Sequence, residues 1–360
     1  MLTVRSPVLF FLLLVSSALT GVQAAPQRNR GGGGGGRGGN GGAVAQTPQQ
    51  QAAQIPQGIS QASDGSTILD TTATVNGLEL RFKISGPADQ FTTRSGVPGA
   101  TQRTGAQGTL GLNVLLHGDG GQSFFDFPNQ AVQGGLMGVV ILAPSEQLLW
   151  GQSAGPPSGL SRIDGAAHAQ AVNDLIQTVL PRVAAFNASD VFFTGVSGGS
   201  LTLSGFFVPA HMANFAGTGV LLMCGALEPQ VPVVGGASFL GNTRIHFQST
   251  LRELDSLRQA IPDAIVAYER LGATAAGLGA AGLGALQTVD NTPDGGHCEF
   301  DGLGFSSGIQ IVADAFASIM QGGDGAVQGI DARTVLKSVV GNEDLIFAAG
   351  QKRDAERIPI

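Results

Sequence analysis

The sequence is poor in the residues that bind nucleic acids, metals and sugars. Charged residues make up 12% of the 360 residues and the formal net charge is −7, which argues against a nucleic-acid partner. The 2 cysteines and 5 histidines show no spacing typical of a zinc site, so we expect no metal and no other cofactor. One Trp and one Tyr offer little aromatic surface for stacking against sugar rings.

Apolar runs long enough to cross a bilayer are also missing. The N-terminal run at residues 8–15 is too short to span a membrane; it follows Arg5 and precedes the small-residue pattern Val22-Gln-Ala24. These features are typical of a signal peptide. We therefore predict a signal peptide at residues 1–24, secretion to the extracellular space and no membrane partner after cleavage; a retained membrane anchor is the alternative.

Glycine, by contrast, is abundant, with 56 residues. Residues 25–65 combine glycine runs with a Gln, Ala and Pro stretch that cannot bury enough apolar surface to offset the entropy of ordering, which predicts a flexible linker. Residues 66–322 suit one large domain. Residues 323–360 form a C-terminal extension to which the sequence assigns no role.

Short apolar runs alternate with helical patterns along the predicted domain. Several of the runs are apolar throughout, as expected of parallel strands buried on both faces. This alternation predicts an α/β class with a mostly parallel, doubly wound sheet and helices on both faces. The strand-like runs are residues 78–84, 112–116, 138–142, 191–194, 219–223 and 244–248.

The pattern Gly-x-Ser-x-Gly occurs three times, around Ser153, Ser197 and Ser306. A nucleophilic serine in this pattern needs a strand before it and a helix after it. Two prolines follow Ser153 closely and no strand precedes Ser306. Only Ser197 follows an apolar strand and precedes a helix-compatible run, so we predict that Ser197 is the nucleophile. The alternative is an ordinary Gly-rich turn in another doubly wound fold.

His297 is the predicted base. Among the five histidines it alone lies in a Gly-rich loop after the sheet strands and before a C-terminal helix. In the chain order of an α/β-hydrolase, the acid precedes this histidine on a loop after a strand. The loop after residues 244–248 offers Glu253 and Asp255. Glu253 is favoured, because Asp255 lies deeper in the following helix, where its carboxylate would face solvent.

An oxyanion hole needs two N–H donors directed at the developing negative charge. Gly198, directly after the predicted nucleophile, supplies one. The second is expected from the loop at Gly118 and Asp119, where glycine lets the backbone approach a substrate closely. The alternative is a plain Gly-rich turn after a strand.

Two further features fit an oxidising compartment. An isolated pair of cysteines there indicates a disulfide between Cys224 and Cys298, which would tether the loop of His297. Two buried free thiols are the alternative. Asn187-Ala-Ser189 is a glycosylation sequon, so Asn187 is a candidate for N-glycosylation.

Three motifs carry a family resemblance: Leu116-His-Gly-Asp-Gly, Phe193-Thr-Gly-Val-Ser197-Gly-Gly and Gly295-Gly-His297. On the basis of these motifs, the segment of roughly residues 70–320 resembles secreted α/β-hydrolases of the poly(3-hydroxybutyrate) depolymerase and feruloyl esterase type, particularly fungal ones. The resemblance implies the α/β-hydrolase fold and hydrolysis of carboxylic esters, polymeric esters included, through an acyl-enzyme. Such proteins usually carry Asp-x-Val-Pro in the acid loop, where this chain has Arg252-Glu253-Leu254-Asp255.

Other functions remain open at this point. A peptidase of the same fold would share the three residues, and a secreted binding protein could keep the fold without activity. Phe124, Phe125 and Phe127 follow the predicted oxyanion loop and could line an apolar acyl pocket, or else pack in the core beneath it. We predict a preference for apolar or aromatic acyl esters over peptides. The sequence does not predict the oligomeric state.

Overall fold

The computed structural model describes residues 46–101, 108–126, 134–152, 160–330 and 333–341. The predicted signal peptide and the first part of the predicted linker lie outside the described residues, as do Ser153 and Phe127. Within the described ranges, no helix has both the length and the apolar character needed to cross a membrane.

Strands in the described part of the chain all pair in one sheet. They are β1 (Gly58–Gln61), β2 (Thr67–Val75), β3 (Leu78–Gly86), β4 (Gly111–Leu116), β5 (Leu136–Ile141), β6 (Val191–Val196), β7 (Gly219–Met223), β8 (Arg244–Gln248), β9 (Gln287–Asp290) and β10 (Lys337–Ser338). Their order across the sheet is β1-β2-β3-β5-β4-β6-β7-β8-β9-β10. The six neighbouring strands β5, β4, β6, β7, β8 and β9, in spatial order, run parallel. β1 to β3 and β10 add antiparallel edges.

Helices connect most of the parallel strands. They are α1 (Pro48–Ala53), α2 (Gln122–Asp126), α3 (Gly165–Asp174), α4 (Leu180–Val183), α5 (Gly198–Thr202), α6 (Val208–His211), α7 (Leu257–Ala275), α8 (Ala280–Leu286), α9 (Phe305–Asp314) and α10 (Phe316–Met320). A π-helical turn joins α3 to α4 before Pro181, and another joins α5 to α6 before Pro209. Because proline has no N–H, the wider turn carries the helix past it.

Apolar side chains along the central strands alternate between two faces of the sheet. In β6, Val191 and Phe193 lie in one core cluster together with residues of α3 and α7. Phe192 and Val196 lie in a second cluster together with residues of α9 and α10. Because successive strand residues point to opposite faces, a run that is apolar throughout is buried on both sides. The predicted mostly parallel sheet with helices on both faces is confirmed.

The predicted linker ends too late in the chain. Within residues 46–65, Thr47 caps α1 through a capping box and β1 pairs with β2. The buried guanidinium of Arg81 donates to the carbonyl of Ala52 at 2.7 Å and forms a salt bridge with Asp70 at 2.7 Å. The boundary at residue 65 is therefore wrong, because the Gln- and Ala-rich composition concealed a capped helix.

The predicted domain also ends too early. Val327, Ile330 and Val335 are buried in the second core cluster, and β10 pairs with β9. The described part of the predicted extension, up to residue 341, therefore belongs to the domain. The remaining residues of that extension lie outside the described part of the chain.

Together these features define the architecture. The parallel strand order, the antiparallel strands at both edges and the helices on both faces form the α/β-hydrolase fold. The junction between β6 and α5 lies near the middle of the sheet.

Candidate active site

Ser197 lies at the sharp turn between β6 and α5, with φ 49° and ψ −111°, a conformation that non-glycine residues rarely adopt. The flanking glycines are required by close packing. A side chain at Gly199 would collide with the carbonyl oxygen of Leu116, and a Cβ at Gly195 would stand 2.6 Å from the Cα of Ser200. The turn therefore has the form of a nucleophile elbow, which exposes a serine hydroxyl above the sheet.

His297 connects Ser197 to Glu253. Its Nε2 lies 2.8 Å from the Oγ of Ser197, and its Nδ1 is hydrogen-bonded to Oε1 of Glu253. An ionised carboxylate only accepts hydrogen bonds, so Nδ1 carries the proton and Nε2 accepts from the serine hydroxyl. The Glu253 side chain is completely buried, whereas that of His297 is 20% exposed. The structure brings the three predicted residues together in the order that nucleophilic catalysis requires.

Glu253 and Asp255 lie on one loop, residues 249–255, here called the acid loop. The side chain of Asp255 is 94% exposed and pairs with Arg258 at 3.0 Å. Besides His297, Glu253 accepts the N–H of Leu254 at 2.8 Å. Of the two candidates, Glu253 is therefore the one that contacts the histidine.

Cys224 and Cys298 form a disulfide with a Cα–Cα distance of 5.2 Å. Cys224 follows β7, and Cys298 ends the stretch of residues 291–298, here called the histidine loop. Both cysteines are buried in the second core cluster. The bridge spans 74 positions of the sequence, and closing such a loop is worth about 4 kcal/mol in the chain-entropy account. It attaches the histidine loop to the sheet directly beside His297.

The acid loop and the histidine loop are also joined to each other. The N–H of Leu251 donates to the carbonyl of Pro293 at 2.8 Å, and the N–H of Arg252 donates to that of Gly295 at 3.2 Å. At the surface, the Arg252 guanidinium donates to Asp294 at 2.8 Å. These contacts fix the loop that carries the carboxylate relative to the loop that carries the imidazole.

The predicted oxyanion residues lie beside the serine. A Cβ at Gly118 would stand 3.5 Å from the Cβ of Ser197. Gly198 is the first residue of α5, so its N–H has no partner within the helix. The carboxylate of Asp119 fills the space against Gly198 and pairs with Arg162 at 2.7 Å. The role of these N–H groups as oxyanion donors stays a prediction.

His117 supports the loop of Gly118 from below. The N–H of Ala143 donates to its Nε2 at 2.9 Å, so Nδ1 carries the proton and donates to the carbonyl of Gly118 at 2.6 Å. Complete burial lowers the pKa of His117 to about 4, against a smaller opposing effect of the Gly118 carbonyl. His117 is therefore neutral at pH 7, and each of its ring nitrogens is hydrogen-bonded to a backbone group.

Phe305 is a site residue that sequence reasoning missed. Its ring would lie 3.5 Å from a Cβ at Gly118, and its centroid is 6.3 Å from that of the His297 imidazole. It therefore forms an aromatic wall beside the predicted base, His297. The neighbouring Ser306 lies in the first turn of α9 and accepts from Gln122 at 3.1 Å, which is not a strand-to-helix elbow. The only sequence signal for Phe305 was its place after the Gly-rich loop of His297.

The predicted phenylalanine pocket is not formed by Phe124. This ring is completely buried in a small core cluster with Leu115 and Val140, and Phe125 packs against it with ring centroids 5.1 Å apart. The ammonium of Lys83 lies 4.3 Å from the Phe124 centroid. Core packing, the alternative stated above, is correct for Phe124.

Ligand-forming side chains come together at one point of the described ranges. Cys224, His297 and Cys298 place their ligand atoms within 4.8 Å of one another. The disulfide engages both sulfur atoms, and the imidazole is hydrogen-bonded on both nitrogens. This arrangement holds the histidine in place and offers no open coordination set.

The sequon lies far along the chain from these loops, in the turn before β6. Asn187 is exposed, and its Oδ1 accepts the N–H of Ser189 at 3.1 Å. Its side chain is therefore accessible for modification, and glycosylation stays a prediction.

No protein-family model and no curated protein sequence matches the chain. Solved structures of similar shape include a putative dienelactone hydrolase from Klebsiella pneumoniae, with 11% identity, a TM-score of 0.42, and coverage of 69% of this chain and 98% of that chain. An acetyl xylan esterase from Aspergillus awamori has 12% identity, a TM-score of 0.39, and coverage of 57% and 80%. A dienelactone hydrolase-like promiscuous phosphotriesterase from metagenomic libraries has 12% identity, a TM-score of 0.41, and coverage of 71% and 99%. These likenesses are remote, so the fold assignment rests on the strand order and the elbow.

Proposed function

We propose that the protein is a serine-dependent hydrolase of carboxylic esters, with Ser197 as nucleophile, His297 as base and Glu253 as the orienting acid. The observation that carries the proposal is the hydrogen-bonded chain from Ser197 Oγ through the imidazole to a fully buried carboxylate. A serine hydroxyl barely ionises at neutral pH, and this arrangement supplies the base that it needs.

In the first half of the reaction, Ser197 Oγ attacks the ester carbonyl carbon while its proton passes to His297 Nε2. The carbonyl oxygen becomes an oxyanion, stabilised by the N–H groups of Gly198 and Asp119. Collapse of this intermediate breaks the bond to the alcohol oxygen, which leaves with the proton from Nε2. Ser197 then carries the acyl group.

In the second half, water attacks the acyl carbon and gives its proton to His297 Nε2. The second tetrahedral intermediate collapses, the carboxylic acid departs and Ser197 Oγ recovers its proton. In both halves, Glu253 keeps the Nδ1 proton in place and stabilises the imidazolium that forms.

The proposed substrates are esters with an apolar or aromatic acyl group: short-chain, hydroxyalkanoate or feruloyl esters, with polymeric esters among them. Support comes from the Phe305 ring beside His297 and from the low charge of the chain. The motif resemblance to poly(3-hydroxybutyrate) depolymerases and feruloyl esterases points the same way. Secretion, with cleavage after Ala24, is part of this proposal and is tested by sequencing the N-terminus of the protein recovered from culture medium.

A panel of p-nitrophenyl and feruloyl esters, assayed beside peptide p-nitroanilides, tests the proposal. We expect ester turnover that Ser197→Ala reduces by about 10⁴-fold or more, while Ser306→Ala keeps most of it. Faster cleavage of the amides would make the protein a peptidase. A folded wild-type chain that turns over no substrate would support a binding protein that has kept the fold without the activity.

A further inference from the structure

We propose that Arg162 is a positioning residue for the oxyanion hole: it neutralises the Asp119 carboxylate, which would otherwise oppose the charge formed at Gly198. The inference rests on the proposed function and goes beyond it, because Arg162 lies outside the three residues that carry the reaction. It acts through Asp119 and contacts neither Ser197 nor His297 in the hydrogen bonds of the site.

The Arg162–Asp119 pair is a two-point salt bridge. Nη2 lies 2.7 Å from Oδ2 and Nη1 lies 3.2 Å from Oδ1. Nη1 also donates to the carbonyl of Trp150 at 3.1 Å. The Arg162 side chain is 3% exposed, whereas that of Asp119 is 30% exposed. A planar guanidinium held by two oxygens of one carboxylate and one main-chain carbonyl is fixed in position as well as in charge.

The position of the carboxylate makes its charge matter. Asp119 follows Gly118 in the predicted oxyanion loop, and its carboxylate touches Gly198, the residue whose N–H is the other proposed donor. A negative oxygen forms at this point in the tetrahedral intermediate. Two like charges a few ångströms apart in a partly buried site repel each other strongly. An unpaired Asp119 would therefore raise the energy of the transition state.

Arg162 removes this repulsion before the substrate arrives. The positive charge of Arg162 cancels the negative charge of the Asp119 carboxylate. The two-point contact also holds Asp119, so that its backbone stays beside the turn at Ser197. Loss of Arg162 should lower kcat, because the negative charge of Asp119 repels the oxyanion only once that oxyanion forms. Binding of a neutral ester in the ground state should change little.

A double-mutant cycle on the full chain tests the inference. We expect Arg162→Gln to lower kcat by about 100-fold with KM within about threefold, and Asp119→Asn alone to lower it by less than about tenfold. In the double variant Asp119→Asn/Arg162→Gln, kcat should recover at least about tenfold over Arg162→Gln, since no carboxylate is left to neutralise. The exposed Arg182→Gln serves as the matched control and should leave kcat unchanged.

The outcomes separate the two proposals. If the wild-type chain does not hydrolyse esters, the proposed function fails. If it does, and Arg162→Gln keeps wild-type kcat or the double variant is no faster than Arg162→Gln, Arg162 only packs and the inference is overturned. Thermal melting by circular dichroism checks that each variant folds. If Arg162→Gln is unfolded, Arg162→Lys decides: retaining the charge should preserve at least a tenth of kcat, and a loss of about 100-fold would contradict the inference.

Discussion

The proposed nucleophile and its proposed base are held by different means. Ser197 directly follows the central strand β6, and the residues after it, Gly198 to Thr202, are all buried in the helix of the elbow. His297 and Glu253 lie on two loops beyond the sheet, held by a disulfide, by main-chain hydrogen bonds between the loops and by an exposed ion pair. The core of the fold positions the serine, whereas specific cross-links between loops position the base and the acid.

Substitutions on the nucleophile side, at the elbow of Ser197, should therefore have different effects from substitutions on the loop side, at the loops of His297 and Glu253. Substitution of the elbow glycines should disturb the sheet itself, because backbone atoms of β4 and α5 fill the space that side chains would need at Gly199 and Gly195. Damage to the loops should reduce activity in steps, one for each cross-link removed.

The strongest link on the loop side is the carboxylate of Glu253. Glu253→Gln should lower kcat by about 10⁴-fold, because an amide does not hold the Nδ1 proton or stabilise the imidazolium. Asp255→Asn is the matched control on the same loop and should change kcat less than about threefold, since Asp255 faces solvent. Steady-state kinetics on an activated ester would show this. The reverse pattern would identify Asp255 as the orienting acid. It would contradict the account in which loop contacts to Glu253 position the base.

The disulfide is the next link. The double variant Cys224→Ser/Cys298→Ser should lose about 2–5 kcal/mol of unfolding free energy in urea titrations, and kcat should fall as the histidine loop loosens. Mass mapping of the non-reduced protein should first find Cys224 linked to Cys298. Equal stability and equal kcat in the double variant would mean that the bridge does not position the base.

The nucleophile side contains a group sensitive to acid. Burial lowers the pKa of His117 from its ordinary value near 6.5 to about 4. Because the folded-state pKa is the lower one, protonation favours the unfolded chain. The stabilisation is complete above about pH 6.5 and is lost as pH falls through about 4, by roughly 3 kcal/mol in all.

The variant His117→Gln tests this assignment. Urea titrations between pH 7 and pH 4 should show a smaller decline in unfolding free energy for the variant than for the wild-type protein. Buried His168 and His246, whose pKa values are also lowered to about 4 by burial, should keep part of the decline. Identical pH profiles in the two proteins would show that His117 does not titrate with folding.

The weakest link on the loop side is the surface ion pair of Arg252 and Asp294, whose side chains are more than half exposed. Asp294→Asn should leave the urea midpoint of unfolding nearly unchanged and change kcat less than about twofold, because solvent screens an exposed ion pair. A larger effect in urea titration or kinetics would mean that this pair, rather than the main-chain hydrogen bonds, joins the two loops.

Sequence reasoning found what depends on local pattern. The runs at β7 and β8 have the predicted bounds, and β7 is apolar throughout, as expected of a strand buried on both faces. The motif around Ser197 was recognisable because the elbow is built from neighbouring residues. Glu253 was found by chain order, although it lies 44 residues from its partner His297.

Polar strands and long-range contacts were not predictable in this way. β9, with the sequence Gln-Thr-Val-Asp, is fully buried, and two of its polar side chains, Thr288 and Asp290, pair with buried polar groups of β8. Gln248 of β8 donates to Asp290 at 2.8 Å, and Thr288 hydrogen-bonds with His246 at 2.9 Å. Hydrophobic patterning does not detect such a strand. The pairing of Asp119 with Arg162 joins residues 43 positions apart, and no local motif marks it.

Labelling with a fluorophosphonate probe tests the central claim most directly, since the probe reacts with a serine only when a base activates it. The account predicts that peptide mapping of the labelled wild-type protein finds the probe on Ser197. Labelling should persist in Ser306→Ala and disappear in both Ser197→Ala and His297→Ala. A label on Ser306 or Ser153, or a folded wild-type protein that takes up no label, would contradict the assignment of Ser197 as an activated nucleophile.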